Sequence, residues 1–346
     1  MSDTAKKNLA IVTDGSPFSG RILAFDGIRG VAAIYIVWGH LFAKFVVLLP
    51  SLMALSWLIR YGNFAVSLFF LISGFLTMLV SRRKIARLTP KSYMVFIASR
   101  FLRLYPAYLA ALLLLVVMVC VTGLIQGRIN VPHFPWASLP LEMLMLQQWR
   151  PGAVTWNYPA WSISVLWGCI LFLFPVLFLV LRRVKDWRLL TIIIVFLTGA
   201  YASIRSQVPT DEMGSWIFLI SRVIFPFAIG AVLFAIWHMG KVPPRWLANC
   251  VAAGGMGGFL GVHYFCPAMG LVATSIVITS LIFIVLSAGW PNSFIHALMK
   301  KSLFVILGKM SYSVYLSHAL AEWIAVRLMP PASYADQSLG IRLAVF

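Results

Sequence analysis

Charged residues are scarce in this chain of 346 residues, and acidic residues are the scarcest of them. Charged residues make up 11% of the chain, against roughly 25% in an average soluble domain, and Asp and Glu together number nine. Hydrophobic residues account for 61%. This composition excludes an ordinary soluble globular protein, because a soluble surface needs many more charged side chains.

Motifs of several enzyme classes are also absent. The sequence has no GxSxG, HExxH or Walker A motif and no GxGxxG at a strand-to-helix turn, so hydrolases, zinc proteases and nucleotide-driven pumps lose support. No CxxC pair or zinc-ligand spacing occurs, and we predict no metal site. We interpret the four cysteines as packing residues: Cys120, Cys169, Cys250 and Cys266.

Apolar runs of about 20 residues recur along the chain, each long enough to cross a hydrocarbon core as a helix. We predict an all-α polytopic membrane protein with nine complete transmembrane helices and a truncated tenth. A segment at 1–28 precedes an integral-membrane domain at 29–346. The predicted spans are 30–49, 63–80, 104–125, 160–181, 187–204, 215–237, 246–266, 270–289 and 311–329, with a tenth beginning at 338–346.

Lys and Arg are distributed unevenly between the two sides of this predicted bundle. With the N-terminus inside, 20 of the 28 basic residues fall on the inner segments and 7 on the outer ones. Short loops rich in Lys and Arg stay in the cytoplasm. The bias predicts a cytoplasmic N-terminus, and it explains the net charge of +19 without a nucleic-acid partner.

Two long loops are notable. The inner loop at 81–103 is basic and partly amphipathic, which suits contact with anionic headgroups as well as a ligand site. The outer loop at 126–159 contains an apolar stretch, Leu139–Leu146, that is too short to span, so we expect a folded-back or interfacial element. Its aromatic residues fit either stacking on sugar rings or an interfacial belt: Trp136, Trp149, Trp156, Tyr158 and Trp161.

Arg29 and His40 are the first ionisable candidates inside the membrane. Their spacing of 11 residues corresponds to about 16 Å along a helix and about 20° around it, so they share one face. With Arg29 at the cytoplasmic interface, His40 is expected near the midplane, where a neutral imidazole can accept a proton. A histidine that is only hydrogen-bonded within the bundle is the alternative.

Arg100 and Arg103 form an RxxR pair about 60° apart, followed by Pro106 at an expected early helical position. Two guanidinium groups at one cytoplasmic mouth suit a phosphate. The positive-inside bias alone also explains arginine there, and both interpretations stay open.

Three further ionisable residues lie within predicted spans. His318 and Glu322 are four residues apart, so they can touch and form either a proton relay or a structural hydrogen bond. Arg222 lies midway along the sixth span and must face a partner or a water-filled cavity.

Five local strings, in this order, resemble the signatures of the membrane-bound acyltransferase-3 family. FDGIRGVAA, which begins at Phe25, resembles the opening signature of the family, and the spacing from its Arg29 to His40 matches the family's Arg-x10-His. FFLISGF, which includes Ser73, resembles the family's FFxxSGF. RFLR with Pro106 resembles its RxxR entry to the third span. WSISV, which begins at Trp161, resembles WSLSV, and KMSYSVYLSH, which ends at His318, resembles SYSLYLWH.

The resemblance implies transfer of an acyl group, most often acetyl, from cytoplasmic acyl-CoA to a hydroxyl of a glycan or other acceptor. His40 matches the family's catalytic histidine and Arg29 its essential arginine, while Arg100 and Arg103 match the pair that holds the donor's phosphates. Ser73, Trp161, Arg222, His318 and Glu322 are secondary site candidates. A bacterial cytoplasmic (inner) membrane is the expected location.

One departure from the family keeps a second function open. Members usually continue WSLSV with Glu, where this chain has Leu166 and Trp167. If that carboxylate orients the histidine or binds the acceptor, either Glu322 replaces it in this chain or the activity is altered. The alternative is a non-catalytic or half-reaction membrane protein that translocates acyl groups or a lipid-linked glycan.

Overall fold

A computed structural model describes residues 22–59, 62–85, 87–126, 134–149, 155–207, 215–268 and 270–328. Every regular element in these ranges is helical. The long helices, labelled in chain order, are α1 (Leu23–Leu48), α2 (Phe64–Lys84), α3 (Pro90–Gln126), α4 (Tyr158–Leu181), α5 (Trp187–Gln207), α6 (Ile217–Met239), α7 (Arg245–Phe265), α8 (Leu271–Gly289) and α9 (Ser302–Leu328). Shorter turns are Pro50–Leu55, Ser56–Ile59, Trp136–Ser138, Leu139–Met143, Gln147–Trp149 and Phe294–Met299.

Seven helices in the described ranges are long and apolar enough to cross a membrane, namely α2 to α6, α8 and α9. This confirms the predicted all-α architecture with several candidate spans. Helices α1 and α7, of 26 and 21 residues, also have the length of a span. Helix α1 begins at Leu23, so the predicted boundary between residues 28 and 29 falls within it. The predicted tenth helix lies outside the described residues.

Helix α3 overturns the prediction of a loop at 81–103 and an early helical position for Pro106. It begins at Pro90 and runs for 37 residues, with Pro106 in its interior. Thr89 Oγ1 accepts a hydrogen bond from the Ser92 backbone N–H at 3.2 Å, and Pro90 occupies the first helical position. This cap starts the helix before the basic residues that favour a loop in a hydropathy profile.

Helix α9 also begins earlier than predicted, at Ser302 rather than at 311. Lys300, Lys301 and Lys309 lower the hydropathy of this stretch, which hides the helix start from a pattern of apolar runs. The extra turns matter for packing because they contain Gly308, a contact point with α1.

Glycines set the closest helix contacts. A Cβ at Gly308 of α9 would lie 2.0 Å from the backbone oxygen of Asp26 in α1. A Cβ at Gly230 of α6 would lie 1.9 Å from the backbone oxygen of Leu71 in α2. Small residues of this kind let helix backbones approach each other within a membrane. One contact therefore joins α9 to α1, and the other joins α6 to α2.

Two π turns interrupt otherwise α-helical segments. They are Cys169–Leu173 in α4 and Ile220–Ile224 in α6, and Pro175 and Pro226 follow them. Proline lacks an N–H and collides with the carbonyl four residues earlier, which favours such a local change of helical pitch. In α4 that carbonyl, of Leu171, accepts a hydrogen bond from the Tyr93 hydroxyl.

The segment 134–149 contains the predicted folded-back element, as short helical turns that carry a buried acid. Glu142 is 0% exposed and accepts hydrogen bonds from the Trp156 N–H at 2.9 Å and from the Tyr108 hydroxyl at 3.3 Å. Gln147 Nε2 donates to the Tyr108 hydroxyl at 3.0 Å. Burial raises the pKa of Glu142 to about 7, although the two hydrogen bonds that it accepts oppose that rise.

Replacing Gly308 by alanine is expected to lower the stability of the bundle by about 1 to 3 kcal/mol, because the new methyl group collides with the α1 backbone. The measurement is the melting temperature of the purified protein in detergent. Gly199→Ala in α5 is the control, since a Cβ there has no neighbour within 4 Å. Equal melting temperatures for the two variants would contradict the proposed close contact.

Glu142 is expected to make stability depend on pH. Its pKa is raised from 4.5 to about 7 in the folded protein. Its contribution to the stability of the folded state is therefore fully present below pH 4.5 and is lost as the pH rises through 7. Melting temperature measured from pH 5.5 to 8 is expected to fall in the wild type and to fall less in Glu142→Gln. Asp186→Asn removes an exposed acid as a control. An unchanged slope in Glu142→Gln would refute this assignment.

Candidate active site

Three neighbouring cavities in the described part of the bundle share lining residues, and we call this series of cavities the path. The inner cavity, of about 420 Å³, lies at the N-terminal end of α1 and is lined by Arg29, Arg100 and Arg103. The outer cavity, of about 500 Å³, lies further along α1 and is lined by His40. Between them a narrow cavity of about 60 Å³ shares residues with both: Val66 and Tyr315 with the outer cavity, and Arg29, Ser73, Leu104 and Leu166 with the inner one.

The inner cavity brings together arginines that are far apart in the sequence. Arg29 comes from α1, while Arg100 and Arg103 come from α3. The Arg100 guanidinium lies over the Phe96 ring at 5.1 Å, and its Nη2 has no hydrogen-bond partner. Asp26 also lines the cavity. Three guanidinium groups around one space suit an anion with several phosphate oxygens.

The outer cavity holds His40 within a cluster of rings from three helices. The His40 ring centroid lies 5.3 Å from that of His318 and 5.1 Å from that of Tyr158. The Tyr158 and His318 centroids are 5.5 Å apart. His40 is exposed and lines the cavity, about 7 Å beyond the middle of α1. The structure therefore brings two of the candidate histidines together.

The hydrogen bond of His318 fixes its tautomer. Its Nδ1 lies 2.6 Å from the Tyr315 backbone oxygen, and a carbonyl oxygen only accepts, so Nδ1 carries the hydrogen in the neutral ring. The other nitrogen, Nε2, is then a hydrogen-bond acceptor, and it is buried without a partner. His318 thus offers a basic nitrogen beside His40.

Glu322 joins this cluster through a tyrosine. The Tyr158 hydroxyl donates to Glu322 Oε2 at 2.8 Å, and the Tyr158 ring contacts both histidines. The sequence pattern placed Glu322 beside His318 on one helix face. The structure adds Tyr158 as the group that connects the carboxylate to the His40 side of the cluster.

The WSISV segment at the start of α4 contributes to two of the cavities. Trp161 lines the outer cavity, and Ser162 and Leu166 line the narrow one. Ser162 Oγ and the Tyr315 hydroxyl are 2.8 Å apart, and the Tyr312 hydroxyl donates to the Leu104 carbonyl at 2.8 Å. Leu166 also lines the inner cavity. The position at which the resemblance leads us to expect an acid therefore faces the path between the cavities.

Arg222 lines the outer cavity from the π turn of α6. It is 7% exposed, its Nη2 donates to the Asn63 backbone oxygen at 3.3 Å, and its guanidinium lies 4.8 Å from the Phe218 ring centroid. The sequence predicts that Arg222 faces either a partner or a water-filled cavity, and in the structure it lines the outer cavity.

Sequence analysis did not predict several residues that line the outer cavity, or the buried acid Glu142. Tyr35, Asn63, Gln148 and Tyr315 line the outer cavity, and no spacing rule connects them because they come from separate helices and turns. Glu142 was detectable as an acid within the apolar stretch Leu139–Leu146.

The outer-loop aromatics divide by role. Trp149 and Trp156 donate their indole N–H groups to the carbonyls of Ser164 and Pro135, at 3.2 and 3.0 Å. Trp136 packs on Trp156 with ring centroids 5.0 Å apart. These three residues hold the segment in place, whereas Tyr158 and Trp161 line the cavity.

Comparison with known proteins agrees with the motifs. The sequence model of the family described as "Acyltransferase domain" (Acyl_transf_3) matches residues 22–345. The acyltransferase MdmB of Streptomyces mycarofaciens is 24% identical over 331 residues, which cover 89% of this chain and 81% of that protein. The exopolysaccharide production protein ExoZ of Rhizobium meliloti (strain 1021) is 29% identical over 264 residues, 75% of this chain and 76% of that protein.

No solved structure matches the chain. The family match begins at residue 22, just before α1, and extends beyond the end of α9, so it includes all three cavities. The five sequence strings lie within it in the expected order. The chain belongs to the acyltransferase-3 family.

Proposed function

We propose that the protein is a membrane-embedded O-acyltransferase that moves an acyl group, most often acetyl, from cytoplasmic acyl-CoA to a hydroxyl of a glycan or related acceptor. The observation that carries this proposal is the path from a cavity with three arginines to a cavity with His40. Family membership supports acyl transfer, and the name of the relative ExoZ supports a polysaccharide acceptor.

The inner cavity is the proposed donor site. Arg29, Arg100 and Arg103 bind the phosphates of acyl-CoA, and the pantetheine arm enters the narrow cavity past Ser73 and Leu166. A cytoplasmic donor requires the inner cavity to face the cytoplasm. This orientation of the inner cavity fits a cytoplasmic N-terminus and a location in the bacterial inner membrane. It also fits nine spans, with α1 and α7 included, and a tenth span after them.

His40 is the proposed general base. Its imidazole accepts the proton of the acceptor hydroxyl while that oxygen attacks the thioester carbonyl carbon. The carbon–sulfur bond then breaks, and the imidazolium returns the proton to the departing thiolate to give free coenzyme A and an ester. The rate gain expected from such a base is typically 10² to 10⁴.

His318, Tyr158 and Glu322 are proposed positioning residues. The buried Nε2 of His318 can accept a hydrogen bond from the protonated His40 and so stabilise the charge that forms during transfer. Glu322 holds the Tyr158 ring, which packs on His40. In this arrangement the acid of the site comes from α9 instead of from position 166.

His40→Ala is expected to lower acetyl transfer at least about 100-fold, because the general base is lost. The assay is release of free coenzyme A from acetyl-CoA by the purified protein in nanodiscs, with and without a membrane glycan extract. His238→Ala is the control, since His238 stacks on Phe234 near the end of α6 and lines none of the three cavities. Unchanged transfer by His40→Ala would refute the mechanism.

The same assay separates the enzyme from the alternative function. Release of coenzyme A that needs the extract and His40 supports acyl transfer to a glycan. Binding of acetyl-CoA without release, under every acceptor condition, would instead favour translocation of acyl groups or of a lipid-linked glycan.

His318→Gln is expected to slow transfer roughly 10- to 100-fold and to shift the pH–rate profile, because the basic nitrogen beside His40 is lost. The measurement is kcat/KM from pH 5 to 9 for both proteins. A slower rate with an unchanged profile would assign His318 a structural role only.

Arg103→Ala is expected to raise KM for acetyl-CoA about tenfold or more, because a charge-assisted hydrogen bond contributes about 1.5 to 3 kcal/mol. Arg182→Ala removes an exposed arginine that lines none of the three cavities, and it is the matched control. A similar KM in both variants would contradict the assignment of the inner cavity to the donor.

A further inference from the structure

The outer cavity contains a buried cation that the proposed transfer chemistry does not use. Arg222 is 7% exposed and lines the same cavity as His40. To the described part of the chain its guanidinium makes one hydrogen bond, from Nη2 to the Asn63 backbone oxygen, although arginine offers five N–H donors. Because Arg222 lines the outer cavity, a ligand in that cavity can reach its side chain.

The surroundings of Arg222 increase the local positive charge. No acidic side chain is among the described residues that line the outer cavity. Arg205, which is 1% exposed, is close enough to repel it. Glu322, which is not among the described lining residues, accepts a hydrogen bond from the Tyr158 hydroxyl. A buried guanidinium that no carboxylate among the described lining residues faces is costly, and an anion that enters the cavity offsets that cost.

The helix geometry directs Arg222 toward this space. The residue lies within the π turn Ile220–Ile224, and such turns occur often at functional sites because the wider pitch re-aims side chains. The Phe218 ring supports the guanidinium from one side at 4.8 Å. Its position is therefore set by the helix and by this ring before any ligand arrives.

Other lining groups suit a carbohydrate. Asn63 lines the cavity with an amide side chain, a group that pairs with sugar hydroxyls. Trp161 and Tyr35 offer aromatic faces, and Gln148 adds a polar side chain. A volume of about 500 Å³ is within the range of small-ligand pockets.

We propose that the acceptor is an anionic carbohydrate, whose carboxylate or phosphate binds Arg222 while one of its hydroxyls lies at His40. This inference rests on the proposed function for the role of His40, but the anion site itself does not. The shared chemistry is a sugar with a negatively charged oxygen group, and the experiment distinguishes the two sources of that charge.

The test uses three matched disaccharides: cellobiose, cellobiouronic acid and cellobiose 1-phosphate. Their affinities for the purified full-length chain in nanodiscs are measured by calorimetry without acetyl-CoA. The wild type is expected to bind one or both anionic sugars about ten- to a hundred-fold more tightly than cellobiose, the gain of a charge-assisted pair. Tighter binding of the uronate identifies a carboxylate, and tighter binding of the phosphate identifies a phosphoryl group.

Arg222→Gln is expected to abolish the preference for the anionic sugars over cellobiose. Arg222→Lys, which keeps the positive charge, is expected to keep part of this preference. Arg182→Gln is the matched control, because Arg182 also lies over a phenylalanine four residues earlier but lines none of the three cavities. Wild-type protein that binds the three sugars equally would overturn the inference even if Arg222→Gln fails to fold.

Acetyl transfer to the same sugars separates this inference from the proposed function. Anion-selective binding with no release of coenzyme A would retain the anion site and reject the acyltransferase mechanism. Transfer to cellobiose as efficient as transfer to both charged sugars, in wild type and in Arg222→Gln, would retain the enzyme and reject the anion site.

Discussion

The backbone contact between α1 and α9 is the constraint on which the candidate active site depends. Gly30 and Gly308 meet where the two helices are closest. His40 lies ten residues after Gly30 and His318 ten residues after Gly308, so the same rise of about 15 Å carries both imidazoles to one level. Their ring centroids are consequently 5.3 Å apart, although the residues are separated by most of the chain. Side chains larger than hydrogen at the crossing would separate the helices and, with them, the two rings.

Features that repeat along one helix were predictable from the sequence. The spacing of Arg29 and His40 follows from helical geometry, and several apolar runs coincide with helices, for example 187–204 with Trp187–Gln207. The start of α3 needed the cap formed by Thr89 and Ser92, which a hydropathy profile does not register. The ring cluster around His40 could not be derived, because Tyr158 and His318 reach it from different helices. Such contacts depend on how helices pack, and a single sequence specifies this only through the whole bundle.

The distribution of charge separates two tasks within one low-dielectric interior. Arginines from α1 and α3 surround the inner cavity, whereas the outer cavity has the imidazole of His40 and the guanidinium of Arg222. The acid nearest to the histidines is held by the hydroxyl of Tyr158, so it contributes negative charge without occupying the cavity. Position 166, where the family resemblance leads us to expect Glu, is a leucine that lines the narrow cavity. Glu322 thus supplies negative charge near the histidines, while Asp26 is the acid that lines the inner cavity beside the arginines.

The narrow cavity also affects how well the protein prevents ions from leaking across the membrane. Two wide spaces that open toward opposite ends of a bundle would form a leak for protons and ions if they joined freely. The connection has a volume of about 60 Å³, room for only a few water molecules, and Phe69, Phe70, Ile163 and Leu166 supply much of its wall. An apolar constriction of this kind resists wetting and blocks hydrated ions. These side chains therefore oppose the passage of hydrated ions between the two wider cavities.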